Sequence, residues 1–389
     1  MLGYPSLSFT ATTTRVVLYG FGGSFVLCHC LAELASAFGQ EQYTPLHGCG
    51  KLSPSEAAHD SLYAQNVGGR KRKSPVSDRE FYSEYHGHKV RDLQWVHSVL
   101  RRECGRFVFL CGDSSLDNKH WFFTKEPGQQ IPKREMSDDA ITAPAINGYE
   151  TCLTDRDETR EPRMAMDVSY WFNRLAAEDL GPLECCTIIA SVEASTAADR
   201  HHFGLLAQDQ FIRDSVSEDD FIVMSVGGND VALAPTWATA VNIALYNLSP
   251  QWLVFLGLAP GHRHFLNWFH KVIYSYIRQL VARKRPVKVV VNMIYYPDEA
   301  IDEQAWPGAT LKILGYDANP GRLQLVLRTL HRSLAAKAPP RDLAGLDVEV
   351  FPLFTVLDGA DTGDYKQRVE PSVQGGEKIA RALLGRLPQ

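Results

Sequence analysis

Five short apolar runs recur along the chain: RFVFLCG (106–112), CCTIIASV (185–192), DFIVMSV (220–226), VKVVVNMI (287–294) and DVEVFPLF (347–354). A strand with one wet face alternates apolar and polar side chains, whereas a continuous apolar run of this length belongs to a strand buried on both faces. Helical periodicity fills the stretches between them. In RHFLNWFHKVIYSYIRQLVARK (263–284), Phe265, Phe269, Val272, Tyr276 and Leu280 recur every three or four residues and make one apolar stripe. GRLQLVLRTLHRSLAAK (321–337) follows the same rule, GGEKIARALLGRL (375–387) closes the chain, and LQWVHSVL (93–100) leads into the first run. Strands alternating with helices in this way predict a parallel sheet covered by helices on both faces. Such sheets bind their ligands beyond the C-terminal ends of the strands, so the residues following each run carry the functional expectation.

The first hundred residues read differently. Residues 40–90 hold little apolar periodicity and are expected to form an irregular, partly disordered extension, with the structured domain running from about residue 101 to the end. The apolar stretch 16–38 is long enough to cross a bilayer, yet it contains His29 and Glu33; it reads as a buried helix or a membrane anchor. Cys28, His29 and Cys30, with His47 and Cys49, fit no strong zinc spacing, so no metal is expected. Arg70-Lys71-Arg72-Lys73 reads as a solvated linker. A net charge of −5 gives no electrostatic case for a nucleic-acid partner. Eight cysteines without regular spacing argue against a disulfide framework and toward a reducing, intracellular compartment.

Two strand ends stand out. Gly112-Asp113-Ser114 ends the first run, where a serine hydroxyl can be presented on a tight turn whose N–H groups receive a developing oxyanion; alone, it is equally an ordinary turn or helix cap. Gly227-Gly228-Asn229-Asp230 follows the third run, and a side-chain amide there is the kind of extra donor an oxyanion site uses. Together they are more specific than either alone.

These residues resemble the blocks of the GDSL-type or SGNH hydrolases. The resemblance covers roughly residues 105–388 and implies a flavodoxin-like, three-layer α/β/α sandwich around a mainly parallel sheet of about five strands. It implies Ser114 as nucleophile, framed by Gly112 and Asp113, and Asn229 as oxyanion donor beside Gly227 and Asp230, with no cofactor. The family's second block supplies a glycine N–H; here SVEASTAADR (191–200) offers Ala194 and Ser195 instead. The family's last block reads Asp-x-x-His before Pro and a small polar residue. In YKQRVEPSVQGGEKIA (365–380), aligning Pro371-Ser372 puts Glu370 in the histidine position and Gln367 in the aspartate position.

Histidine suits serine activation because it titrates near 6.5, whereas an ordinary glutamate needs burial to become basic enough. The base is therefore expected to be a buried Glu370 or a histidine from elsewhere, His120, His201, His202 and His331 being the candidates, with Asp361 or Asp364 to orient it. His262 and His264 point to different helix faces and make a poor metal pair. The stretch 122–166, polar and directly after Ser114, is expected to cover or shape a pocket. The leading expectation is an ester hydrolase acting on acyl or acetyl groups of lipids or sugars. The alternative is the same fold without a working base, binding a ligand or partner. A dinucleotide site ranks below both, since GDSSLDN lacks the glycine pattern of a phosphate loop.

Overall fold

The computed structural model describes residues 74–124, 136–155, 160–232 and 237–388. The apolar stretch 16–38, the Cys28–Cys49 cluster and the basic run 70–73 lie outside the described residues.

All five apolar runs are strands: β1 (Arg106–Gly112), β2 (Cys185–Ile189), β3 (Phe221–Ser225), β4 (Lys288–Asn292) and β5 (Asp347–Phe351). They form one sheet in the order β2-β1-β3-β4-β5, every pair parallel. The reason is visible in the burial: every residue of β2 and β3 is buried, so both faces need covering and each strand must return through a helical crossover. The covering helices are α1 (Val90–Leu100), α2 (Val168–Asp179), α3 (Ala197–His202), α4 (Ala207–Ser215), α5 (Trp237–Leu248), α6 (His262–Leu280), α7 (Pro320–Ala335) and α8 (Val373–Leu384). Helices α2 and α8 pack together, while α6 packs against α3, α4, α5 and α7. The stripe expected on α6 is the face that packs: Phe265, Phe269, Val272, Tyr276 and Leu280 are all buried. Ser372 caps α8 by accepting the Gly375 N–H, which fixes where the last helix starts.

The chain enters the body earlier than the boundary expected near residue 100. Val76–Ser77 pairs in parallel with Leu153–Thr154, and Phe81, Tyr82, Leu93 and Val96 are buried in the main core. The described part of 122–166 also has structure of its own. Thr142–Pro144 pairs antiparallel with Arg163–Ala165, and the Tyr149 hydroxyl donates to Thr187 O on β2 (2.9 Å). It therefore buttresses the β2 edge. Among the described residues no helix is long and apolar enough to cross a membrane.

Candidate active site

The strand order decides where a site can form. The chain leaves β1 for β2 and then returns past β1 to β3, so the connections diverge at the C-terminal ends of β1 and β3 and open a crevice there. Register aligns those ends: Gly112 pairs with Ser225, and Ser225 with Asn292. Asp113-Ser114-Ser115, Gly227-Gly228-Asn229 and Tyr295 thus leave the sheet at one edge.

Gly112 must be glycine. Its φ is +114°, and a Cβ there would lie 1.8 Å from Ser225 O. This closeness lets the Asp113 N–H donate to Ser225 O (2.9 Å), which sets the turn that carries Ser114. The Gly112 carbonyl accepts three donors: Val192 N (2.9 Å), Ser195 Oγ (2.9 Å) and Arg200 Nη2 (3.1 Å). Arg200 is fully buried and is balanced by Asp209 (2.8 Å), which also accepts from the Tyr276 hydroxyl (2.5 Å).

Asp113, Ser114, Asn229 and Glu370 line one end of a cavity of about 160 Å³. All four are buried, Ser114 at 6% and Glu370 at 2% exposure. Glu370 starts a two-residue strand, Glu370–Pro371, antiparallel to Tyr365–Lys366. The peptide before it is tied down by the Tyr295 hydroxyl, which donates to Val369 O. Asn118 Nδ2 donates to Pro371 O, joining the segment after Ser114 to the one carrying Glu370.

Burial pushes the Glu370 carboxyl up to about 8. The neighbouring Ser114 hydroxyl and Trp306 indole favour its anion and hold it down, while Asp113 and Asp117 push it up. Glu370 Oε2 and Trp306 Nε1 carry no formed hydrogen bond, so the indole approaches the carboxyl without closing on that oxygen. Asp113 is pushed to about 7, again by burial, and its Oδ1 accepts the Ser115 N–H (3.1 Å).

A second carboxyl lies nearby that no sequence signal marks. Burial raises Glu193 well above the ordinary range, and the charges of Glu370 and Asp117 raise it further; only the Lys119 cation and Trp121 oppose them. Trp121 Nε1 donates to Glu193 Oε1 (3.2 Å), and the Trp121 ring stacks on Trp306 (centroids 6.4 Å apart, planes at 20°). Two indoles thus stand over two carboxyls in a water-poor corner, where both carboxyls are driven toward their neutral forms.

The remaining expected residues frame the cavity without lining it. Gly227, at φ +113°, turns the chain against the Phe269 ring, which a Cβ would meet at 3.2 Å. Asp230 accepts the Ala197 and Ala198 N–H groups (2.9 and 2.8 Å), so it caps α3. Ala194 has φ +60°, a conformation glycine adopts freely and alanine rarely does. Asn229 Nδ2 donates to Ser195 O (3.1 Å), linking the loops after β3 and β2. Gln367, at φ +48°, accepts the Trp306 main-chain N–H through Oε1 (3.2 Å) and so locates that tryptophan beside Glu370.

No histidine is among the residues lining the cavity. His120 packs edge-on to Tyr85 (4.5 Å), His201 and His202 sit in the last turn of α3, and His331 Nε2 pairs with Val350 O (3.0 Å). Asp361 and Asp364 are engaged by Lys378 (3.2 and 2.6 Å). The expected alternative bases and their orienting acids therefore do not line the cavity into which Ser114 opens, and neither does any described residue of 122–166. Among the described residues no trio of His, Cys, Asp or Glu is placed to hold a metal ion.

No protein-family model matches the sequence, and no curated protein matches it. Solved structures similar to it include a lipase from a goat rumen metagenome (12% identity, TM-score 0.39, 72% of this chain and 96% of that one). They also include the acetylxylan esterase Axe2 of Geobacillus stearothermophilus (14%, 0.33, 72% and 94%) and the alpha/beta hydrolase LAE5 from a Lake Arreo metagenome (14%, 0.32, 72% and 94%). Likenesses this remote assign no activity to this chain.

Proposed function

We propose that the protein is a serine-type ester hydrolase of the SGNH kind in which a glutamate stands in the base's position. The observation that carries this reading is that Ser114 and Glu370 line the same buried end of one cavity, where burial raises the carboxyl to about 8 and the serine hydroxyl favours its anion. A carboxylate of ordinary acidity is too weak a base for a serine hydroxyl, but one titrating near the working pH is matched to the task.

In this reading Glu370 takes the Ser114 proton as Oγ attacks the ester carbonyl, forming the C–O bond and an oxyanion. The Asn229 amide, which lines the cavity beside Ser114, receives that oxyanion. Protonated Glu370 then hands its proton to the departing alkoxide as the ester C–O bond breaks, leaving an acyl-serine. Water repeats the sequence through Glu370 and releases the acid. The sum is ester plus water giving acid plus alcohol.

The test is covalent labelling by a fluorophosphonate probe together with hydrolysis of p-nitrophenyl acetate. Labelling of the wild type that disappears in Ser114→Ala and slows at least a hundredfold in Glu370→Gln is expected. A wild-type protein that neither labels nor hydrolyses the ester overturns the proposal.

A further inference from the structure

The cavity continues away from Ser114 into the helical layer formed by α5, α6, α7 and the helix Gly308–Ile313, and its walls there are hydrocarbon: Ile243, Phe265, Leu311, Leu323, Val326 and Leu330. Apart from the Thr310 hydroxyl, the longer polar side chains on that side have partners elsewhere. The Tyr246 hydroxyl is bonded to His262 Nδ1, and Asn247 Nδ2 donates to Leu314 O (3.2 Å). An acetyl group leaves such a volume unfilled, and a sugar finds a single hydroxyl, Thr310, for its many. An apolar cavity of roughly 150 Å³ holds a six-carbon hydrocarbon.

Resting on the reading of Ser114 as nucleophile, we propose that this cavity is an acyl-chain site and that the substrate is an ester of a medium-length fatty acid, about six to eight carbons long. The acyl carbonyl sits between Ser114 and Asn229, the chain runs between α6 and α7, and the alcohol stays outside. Each methylene withdrawn from water then raises kcat/KM about fourfold until the cavity is full.

The experiment compares p-nitrophenyl esters from acetate to dodecanoate in the wild type, Val326→Phe and Leu314→Trp, and titrates the fluorescent fatty acid 11-(dansylamino)undecanoic acid into Ser114→Ala. Expected is a climb of up to about 250-fold from butyrate to octanoate, four methylenes at about fourfold each. The two cavity-filling variants should flatten it, lowering the octanoate-to-acetate ratio at least tenfold. Saturable binding of the fatty acid by Ser114→Ala should occur without turnover. Acetate hydrolysis with no chain-length gradient and no fatty-acid binding overturns the acyl site and leaves the esterase standing. Fatty-acid binding without hydrolysis of any ester supports the acyl site and overturns the esterase.

A separate observation concerns the surface. Between Val231 and Pro297 the sequence contains seven lysines and arginines and no aspartate or glutamate, in a chain of net charge −5; Arg278, Arg283 and Lys288 are paired with Asp342, Asp214 and Glu349 from outside this segment, which leaves four. This segment also carries an exposed apolar cluster: Leu248 (45%), Trp252 (62%), Phe255 (55%), Leu256 (55%) and Leu258 (66%). The helix Gln251–Phe255 packs on α7, the same helix that walls the acyl cavity. Arg332 stacks on the Phe255 ring (5.1 Å), and burial disfavours protonation of His262, with the charges of Arg332 and Lys337 nearby adding to it. We infer that this face seats on an anionic lipid surface, its aromatic and aliphatic side chains in the headgroup boundary and its cations on the phosphates.

Sedimentation with phosphatidylcholine vesicles, with and without phosphatidylglycerol, tests it. Expected is binding to the anionic vesicles, weakened at least tenfold by Trp252→Glu with Leu258→Glu and by 0.5 M salt. Equal affinity for neutral vesicles, no binding to either, or a concentration-dependent dimer abolished by the same substitutions overturns the inference. Ser114→Ala should bind vesicles unchanged, which separates this outcome from catalysis.

Discussion

Replacing Glu370 with glutamine removes a titrating oxygen at nearly constant volume, and its effect can be worked out along the pH axis. With the carboxyl at about 8, roughly a tenth of it is ionised at pH 7 and about nine-tenths at pH 9. If Glu370 is the base, wild-type kcat/KM climbs about ninefold between those values, with unit slope in log rate below pH 8. Glu370→Gln loses that limb and about 10²–10⁴ in kcat, the usual contribution of a positioned base. Glu370→His puts a group in the same place whose ordinary value is 6.5 and which burial lowers, so hydrolysis persists and the limb moves to below pH 7. Stability follows the opposite course. The folded state holds this proton up to about 8, whereas the unfolded chain releases it near 4.5. Between those values the folded protein binds more protons, so stability falls as pH rises, by a few kcal/mol for this group. Urea midpoints should therefore drop from pH 5 to pH 8 less steeply in Glu370→Gln than in the wild type. A wild-type rate that is flat from pH 6 to 9, or an alkaline limb that survives in Glu370→Gln, refutes the assignment.

Three other perturbations separate neighbouring claims. Trp306→Phe removes the indole N–H that favours the Glu370 anion, so the rate limb should move to higher pH with the ring packing largely kept; a limb that moves down contradicts the contact. Gly112→Ala drives a Cβ into Ser225 O at a φ unsuited to alanine, and should cost about 3 kcal/mol or more by chemical denaturation. Arg200→Met strands the buried Asp209 carboxylate, a loss of about 3–5 kcal/mol; adding Asp209→Asn should recover more than half, because the uncompensated charge is then gone.

The sheet was legible because doubly buried strands write themselves as uninterrupted apolar runs: RFVFLCG coincides with β1, and the other four runs exceed their strands by a few residues at most. Placing Ser114 and Asn229 at one edge followed from the same logic, since both follow strands of a parallel sheet and the register holds those ends together. The surroundings of Glu370 were not legible. Trp306 lies in an irregular segment and reaches the site because Gln367, far along the chain, accepts its main-chain N–H. Glu193 looks like any polar residue of a βα loop until Trp121 and Trp306 close over it. The packing of the segment before residue 100 is hidden from the sequence for a related reason. Val76, Phe81 and Tyr82 are too sparsely spaced to show periodicity, yet each fills the core beside a partner distant in sequence.

The Gly112 carbonyl, with its three donors, has a mechanical meaning. Val192, Ser195 and Arg200 all belong to the segment after β2, so the serine turn and the loop bearing Glu193 and Ala194 pivot on one oxygen atom. Neither can drift without breaking several buried bonds at once, two of them to side chains locked by their own partners. The Val192 amide should accordingly rank among the slowest in the molecule to exchange with solvent deuterium, opening only when the sheet itself comes apart. Whatever moves when a ligand enters, the hinge lies elsewhere.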